Sequence, residues 1–327
     1  MTNLGELSDI KTNKVSCMMC GAADSKTYKS NMYSIGITHF DLVQCACGFV
    51  YTSHIPEADV ISALYADPSY YNDGYNLGVE TENYFKRKDE LIKIYDTTIQ
   101  EFEEKFGVIG DLLELGSAGG FLLEAARRRG WRVKGIEVSP TAVKFAREEL
   151  HLDIFQGMLT YDCYPPSSFD LVIADNVLEH TPDPMETLKM LLHLTKSGGL
   201  LVVIVPTYVN SPYFRMLKAL GKAVPRRFLG PTLSKILKVT SPTENTTRNY
   251  PYHMIEFNKD LIVKLTKNSG WNVESVEGAV PLPAEIFKTN SANLRIFILR
   301  SVFTILNWLM HLGLVPGART TVYARKP

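Results

Sequence analysis

The chain has 327 residues, 45% of them hydrophobic and 21% charged, which suits one large folded domain or two smaller units. Lysine plus arginine and aspartate plus glutamate each number 35, so no net positive field would attract nucleic acid. The opening residues MTNLGELSDIKTNK lack the apolar stretch of a signal peptide, and we expect a cytoplasmic protein.

Cysteines are concentrated near the N-terminus, in the segments CMMCG and QCACG. The four are Cys17, Cys20, Cys45 and Cys47. Two close pairs of thiolates, each followed by a glycine that permits a tight turn, predict a structural zinc site of the ribbon type. The second pair is C-x-C rather than the usual C-x-x-C, so His39 or His54 is an alternative ligand. Four reduced cysteines that bind nothing are the simpler interpretation.

From residue 111 the chain alternates short apolar runs with helical patterns. The runs are LLEL, WRVKGIEV, DIF, FDLVIAD and LLVVIVP. Between them, FLLEAARRRG ends in Gly130, and SPTAVKFAREEL begins with Ser139 as N-cap and Pro140 at the first helical position. This alternation predicts an α/β fold with a doubly wound parallel sheet, in which ligands bind over the carboxyl ends of the strands.

The loop in LELGSAGGF, after the first apolar run, indicates the class of ligand. A dinucleotide fingerprint needs a small residue five positions after its first glycine, where this chain has Phe121. No Gly-Lys-Ser/Thr of a Walker loop follows either. The remaining pattern is an acidic strand end, Glu114, followed by G-x-A-x-G.

That pattern resembles motif I of class I S-adenosylmethionine-dependent methyltransferases, with Ala118 in place of the middle glycine of G-x-G-x-G. The segments FDLVIADNVLEHTPDP and TKSGGLLVVIVP are similar to the fourth motif and fifth strand of the small-molecule members, and TTVYARKP looks like their final antiparallel strand. The resemblance implies a Rossmann-like seven-stranded sheet and an enzyme that uses S-adenosylmethionine.

The resemblance also implies which residues hold the cofactor. Glu114 and the loop backbone would hold its methionine end, and Glu137 would accept hydrogen bonds from both ribose hydroxyls. Met158 stands where the family often has an acidic residue, so backbone groups of Met158 and Leu159 would recognise the adenine. The expected set is Glu114, Gly116, Ser117, Ala118, Gly120, Phe121, Glu137, Val138, Met158, Leu159, Asp175 and Asn176.

Methyl transfer needs a positioned nucleophile and often a base. His180 in DNVLEH is the first candidate base, because imidazole titrates near neutral pH; a histidine that braces the loop is the structural alternative. Glu179 beside it, and His253 in a segment similar to the family's H-x-x-x-F, are the other two catalytic candidates. Ubiquinone-type O-methyltransferases have E-x-x-E-H and a divalent metal here, but Asn176 replaces the first Glu, so a catalytic magnesium is not favoured.

Two further regions would cover the site. Family members have a lid that excludes water where this chain has DPSYYNDGY, with Tyr70, Tyr71 and Tyr75. An insert at 207–250 has seven basic and no acidic residues between 207 and 243, interleaved with apolar ones. It suits an anionic membrane surface, a substrate phosphate, or a helical cap with a solvated basic face. The run from Ile296 to Val315 predicts an amphipathic helix and no transmembrane segment.

We therefore predict five parts: a zinc-ribbon-like segment 1–55, a helical lid and linker 56–106, a cofactor-binding Rossmann-like core 107–206, a basic helical cap insert 207–250, and the C-terminal part of the methyltransferase domain 251–327. We expect methylation of a hydroxyl on a sugar, lipid-linked or isoprenoid-type metabolite, peripheral membrane contact through 207–243, structural Zn²⁺, and no nucleic acid partner.

Three alternatives remain open from the sequence. An RNA base methyltransferase with a zinc-ribbon head is disfavoured by the neutral charge and the absence of an N-P-P-Y motif. A sugar C-methyltransferase would have a Y-H-E-H segment, of which only part is present in YHMIEF. A non-catalytic cofactor-binding scaffold is disfavoured by the intact acidic positions Glu114 and Glu137.

Overall fold

The computed structural model describes residues 10–35, 37–66, 71, 84–107, 109–207, 253–279, 301, 304–305, 308–309, 317 and 319–327. The cap insert after Thr207, Tyr70, Tyr75 and most of the run from Ile296 to Val315 lie outside the described residues, and our expectations for them stay predictions. No helix within the described ranges has the length and apolar character needed to cross a membrane.

Thirteen strands and six α-helices are found in the described part of the chain. The strands are β1 Thr12–Lys14, β2 Ser25–Ile35, β3 Thr38–Cys45, β4 Val50–Thr52, β5 His54–Pro56, β6 Asp111–Leu115, β7 Arg132–Glu137, β8 Ile154–Gln156, β9 Phe169–Asp175, β10 Thr195–Pro206, β11 Ile255–Glu256, β12 Asn272–Ala279 and β13 Arg319–Arg325. The α-helices are α1 Ala58–Ala66, α2 Lys88–Phe106, α3 Phe121–Arg128, α4 Pro140–Leu150, α5 Pro184–Leu194 and α6 Lys259–Asn268. Short 3₁₀ helices span Tyr84–Arg87 and Leu178–His180.

The main sheet has seven strands in the order β8-β7-β6-β9-β10-β13-β12. Strands β6 to β10 are mutually parallel, and β13 lies antiparallel between β10 and β12. The predicted α/β, Rossmann-like seven-stranded sheet is confirmed, and TTVYAR is its antiparallel last strand. Because β6, β7 and β9 are neighbours, their carboxyl ends and the loops after them meet at one edge of the sheet.

Helices cover both faces of this sheet, and so its central strands are buried along almost their whole length. Helices α2, α3 and α4 share one apolar core with alternate residues of the central strands, and α5 and α6 share the other core with the intervening residues. Helix α4 begins as predicted, because Ser139 is its N-cap and Pro140 occupies its first turn. The Ser139 side chain accepts a hydrogen bond from the backbone N–H of Ala142.

The N-terminal region forms a small sheet of its own, in the order β11-β4-β3-β2. Strands β2 and β3 are a hairpin, and β4 pairs with both β3 and β11. The fourth strand, β11, belongs to the predicted C-terminal part of the chain, more than 200 residues after its partner. The predicted ribbon segment therefore shares a sheet with the methyltransferase part, and it also shares a hydrophobic core with α5 and α6.

Candidate active site

The loop after β6 has a backbone shape that only small residues allow. Gly116 has φ +70°, and a Cβ atom there would lie 2.4 Å from Cγ2 of Val177. Gly120, the N-cap of α3, has φ +78°. Ala118 has φ +46°, a left-handed conformation that costs about 1 kcal/mol for a residue with a side chain. The predicted G-x-A-x-G turn is thus present, with alanine held in a conformation that favours glycine.

A cavity of about 560 Å³ opens at the carboxyl edge of the main sheet, beside this loop. Eight of the twelve expected cofactor residues line it: Gly116, Ala118, Glu137, Val138, Met158, Leu159, Asp175 and Asn176. The three catalytic candidates also line it, namely Glu179, His180 and His253. The fold therefore brings together residues that are spread over more than 130 positions of the sequence.

Four expected cofactor residues, Glu114, Ser117, Gly120 and Phe121, are not among the residues that line the cavity. Ser117 and Phe121 are buried, and the Phe121 ring packs against Tyr84 with centroids 5.0 Å apart. Glu114 is buried within β6, and burial, reinforced by two nearby carboxylates, raises its pKa well above the ordinary value. Ser117 and Gly120 belong to the loop itself, and direct contact between the four residues and the cofactor stays a prediction.

Glu137 is the carboxylate most firmly oriented in the cavity wall. Its Oε2 accepts the backbone N–H of Ala118 at 2.8 Å, and its Oε1 accepts the backbone N–H of Ser139 at 2.8 Å. The backbone N–H of Val138 also acts on this carboxylate, which has about four acceptor sites in all, so acceptor capacity remains for a ligand. Burial raises the pKa of Glu137, although the backbone N–H donors oppose that shift. A rigid carboxylate with remaining acceptor capacity suits a hydroxyl-bearing ligand such as ribose.

Asp175, the last residue of β9, and Asn176 directly after it form a second polar part of the wall. The guanidinium of Arg319, at the start of β13, lies 2.5 Å from Oδ1 of Asp175. The side-chain amide of Asn176 donates to the same oxygen at 2.8 Å. Asn176 has φ +53°, which asparagine tolerates better than most residues. The sequence did not indicate Arg319, because its partner lies 144 residues away.

The three catalytic candidates form one cluster. The imidazole rings of His180 and His253 meet edge to face, with centroids 4.9 Å apart. Nε2 of His180 lies 4.0 Å from Oε1 of Glu179. One N or O atom from each of the three lies within 4.8 Å of the others, a spacing at which they could also hold a cation. Burial raises the pKa of Glu179 to about 7, and the nearby His253 opposes that shift.

Several lining residues were not foreseen from the sequence. Ile61 and Tyr65 come from α1, and the Tyr65 ring lies 6.5 Å from that of His180. Asp183 is the N-cap of α5, and Glu186 lies in its first turn. The segment TPDPME did indicate a helix start here, because Asp183 is a typical N-cap residue and its side chain accepts the backbone N–H of Glu186. Tyr71, one of the predicted lid tyrosines, also lines the cavity.

The four N-terminal cysteines are gathered at two tight turns. Their sulfur atoms all lie within 4.8 Å of one another, with Cys17 and Cys47 at 3.6 Å and Cys20 and Cys45 at 3.5 Å. Four thiolates on a zinc ion at about 2.3 Å each would be about 3.8 Å apart, so the donor set fits a tetrahedral metal. The following glycines take φ +75° and +90°, as the predicted turns require. A backbone N–H donor, helped by neighbouring thiols, lowers the pKa of Cys20 to about 7.

A parallel sheet with one reversed strand, and a glycine loop beside a fixed carboxylate at its edge, are what the resemblance to class I S-adenosylmethionine-dependent methyltransferases implies. Residues 113–203 match the family model described as a methyltransferase domain.

Two relatives carry the same name. Ubiquinone biosynthesis O-methyltransferase, mitochondrial, of Schizosaccharomyces pombe is 25% identical over 175 residues, which are 51% of this chain and 57% of that protein. Ubiquinone biosynthesis O-methyltransferase of Xanthomonas campestris is 35% identical over 96 residues, which are 28% of this chain and 40% of that protein. The chain thus spans about half the length of the relatives it matches. Among solved structures, a SAM-dependent methyltransferase from Archaeoglobus fulgidus aligns with a TM-score of 0.46 and 16% identity, over 75% of this chain and all of that one.

Proposed function

We propose that this chain is an enzyme that transfers the methyl group of S-adenosylmethionine to a hydroxyl oxygen of a small molecule. The observation that supports the proposal most strongly is the shared cavity. Glu137 and the glycine loop form one part of its wall, while Glu179, His180 and His253 form another. The proposed nucleoside site and the candidate proton acceptors would therefore face the same space.

The chain's residues fit the cofactor. Gly116 leaves no room for a side chain between the loop and Val177, so only backbone faces the cavity there. The remaining acceptor capacity of Glu137 would hold the ribose hydroxyls, and Met158 and Leu159 would pack on the adenine. When bound, S-adenosylmethionine supplies an electrophilic methyl group on a positively charged sulfur. The carboxylates of the wall would complement that charge.

The histidine cluster would handle the acceptor's proton. A hydroxyl is a weak nucleophile until a base takes its proton, and an imidazole is suited to this near neutral pH. Both histidines are mostly buried, which excludes water from the proton transfer. Glu179 would stabilise the imidazolium that forms.

The charge and polarity of the cavity wall indicate which class of acceptor it suits. The lining residues that the structure describes include five carboxylates and no lysine or arginine. Its apolar surface comes in part from Ile61, Tyr65, Leu159, Met190 and Pro206. We infer an uncharged hydroxyl on an apolar body, such as a phenol of isoprenoid or lipid-linked type. The name shared by the two relatives supports this class, since they act in ubiquinone biosynthesis.

We further propose that the four N-terminal cysteines hold one structural Zn²⁺. All four donors are protein thiolates, so a tetrahedral ion would have no position left for a substrate. The metal would fix the two turns that carry the cysteines, and thereby the hairpin between them.

The test is calorimetric titration with S-adenosylhomocysteine, comparing wild type, Glu137→Ala and Glu148→Ala. Glu148 is an exposed glutamate on α4, so its variant is the matched control. We expect binding by wild type and the control, and loss of at least about 100-fold in affinity for Glu137→Ala, since two hydrogen bonds to a charged group are removed. Methyl transfer is then followed by mass spectrometry with an isoprenoid phenol as acceptor. Absence of binding by folded wild type would refute the proposal.

A further inference from the structure

The short segment that carries His253 is held between the N-terminal sheet and the candidate catalytic turn. On one side, the backbone N–H of Thr52 donates to the carbonyl of Met254 at 2.8 Å, and β11 pairs with β4. On the other side, the backbone N–H of Met254 donates to the carbonyl of Glu179 at 2.8 Å. The position of His253 therefore depends on both the ribbon and the main domain.

Side chains also connect the N-terminal sheet to His253. The hydroxyl of Tyr33, on β2, donates to Oε1 of Glu256. That same oxygen lies 3.4 Å from Nδ1 of His253, which is an ion-pair contact without the geometry of a hydrogen bond. Exposure is 0% for Tyr33, 4% for Glu256 and 5% for His253, so water does not compete for these contacts. A carboxylate on one ring nitrogen of a buried imidazole determines which tautomer and orientation the ring adopts.

We propose that Tyr33 and Glu256 are positioning residues for His253, and that the N-terminal sheet is thereby part of the active site. This inference rests on the proposed methyl transfer. Glu256 is placed to accept the Nδ1–H of His253 after a small rotation of the ring, which would leave the Nε2 lone pair to receive the proton of the acceptor hydroxyl. The imidazolium that results keeps its contact with the Glu256 carboxylate and later returns the proton to water. Tyr33 holds Glu256 in place from the opposite side.

In this arrangement the predicted ribbon segment would position an active-site residue. Tyr33 pairs across the β2–β3 hairpin with Phe40, and β3 ends at Cys45 of the cysteine cluster. A cysteine cluster held by a metal would therefore fix the β2–β3 hairpin, and with it Tyr33, which contacts Glu256. The inference differs from a docking role for the ribbon, because it predicts a change in turnover with no partner present.

The test uses Tyr33→Phe and the double variant Tyr33→Phe/Glu256→Leu. Replacing Tyr33 and Glu256 together by apolar groups of similar size leaves neither partner of their hydrogen bond unsatisfied, and His253 loses one polar contact, so the double variant is expected to fold. The control is Tyr51→Phe, which removes the hydroxyl of another fully buried tyrosine in the same sheet. Three quantities are measured: affinity for S-adenosylhomocysteine, kcat and KM for the acceptor, and the ¹⁵N NMR shifts that report the His253 tautomer.

We expect unchanged affinity for S-adenosylhomocysteine, a fall in kcat of about 10-fold for Tyr33→Phe and about 100-fold for the double variant, and loss of the Nδ1–H tautomer in the double variant. The control should match wild type. A double variant that keeps both the wild-type tautomer and kcat would overturn the inference. If the double variant fails to bind S-adenosylhomocysteine, the inference is judged on kcat and on the His253 tautomer of Tyr33→Phe alone. If wild type methylates no acceptor, the proposed function fails, while the NMR shifts still decide the positioning.

Discussion

Gly116→Ala tests whether the loop after β6 is as tightly constrained as its geometry indicates. An added Cβ would lie 2.4 Å from Cγ2 of Val177, a distance that real Cβ contacts essentially never show. The residue would also have to keep φ +70°. The substitution therefore introduces a backbone strain and a steric overlap at the same position.

The two contributions can be given magnitudes. Holding alanine in the left-handed region costs about 1 kcal/mol. Overpacking a rigid site by one methyl group typically costs about 1–3 kcal/mol. We expect Gly116→Ala to lower the free energy of unfolding by about 2–4 kcal/mol, and to weaken binding of S-adenosylhomocysteine because the loop backbone is displaced.

The assay is urea denaturation followed by tryptophan fluorescence, with Gly107→Ala as the matched control. Gly107 has φ +64°, but a Cβ there would meet nothing within 4 Å, so its substitution should cost only the backbone contribution of about 1 kcal/mol. The double variant Gly116→Ala/Val177→Ala removes the overlap and should recover about 1–3 kcal/mol in a double-mutant cycle. If Gly116→Ala costs no more than Gly107→Ala, or if the cycle shows no coupling, the steric argument is wrong.

Three further changes have defined outcomes. Burial raises the pKa of Glu179 from its ordinary 4.5 to about 7. The protonated Glu179 therefore stabilises the fold fully below about pH 4.5, and this stabilisation is lost as the pH rises through about 7. Denaturation at about pH 5 and about pH 8 should show that loss in wild type and not in Glu179→Gln. Metal analysis should find about one zinc per chain in wild type and in Cys163→Ser, whose thiol lies outside the cluster, but much less in Cys20→Ser. Ser139→Ala should lower the free energy of unfolding by about 1 kcal/mol, because α4 loses its N-cap; a loss under about 0.3 kcal/mol in urea titrations would contradict that account.

The main sheet could be predicted because its signals are local. The run FDLVIAD is β9 from its first residue to its last, since a central parallel strand is buried on both faces and reads as a continuous apolar stretch. The N-cap of α4 is equally local, because Ser139 and Pro140 follow each other directly. Glu137 could be predicted to lie beside the glycine loop, in the cavity wall, because it ends the strand next to β6.

Other parts of the site could not be predicted, because they depend on pairings between distant residues. Glu256 lies 223 residues from Tyr33, and neither residue has a neighbour in sequence that indicates the contact. Tyr65 reaches His180 only because α1 packs over the carboxyl edge of the sheet. The pattern G-x-A-x-G likewise does not reveal that its acidic residue Glu114 would be almost fully buried in β6, close to the carboxylates of Glu137 and Asp175.

The pairing of β4 with β11 also affects the order in which the protein can be assembled on the ribosome. Tyr51 of β4 leaves the ribosome about 200 residues before its partner Ile255, which at about 5–20 residues per second is a delay of about 10–40 seconds. During that interval β4 is an open edge, and open edges invite pairing with other chains. Metal bound early by the cysteines would keep the hairpin closed while the rest of the chain is made, so zinc supply would influence the yield of native protein as well as its final stability.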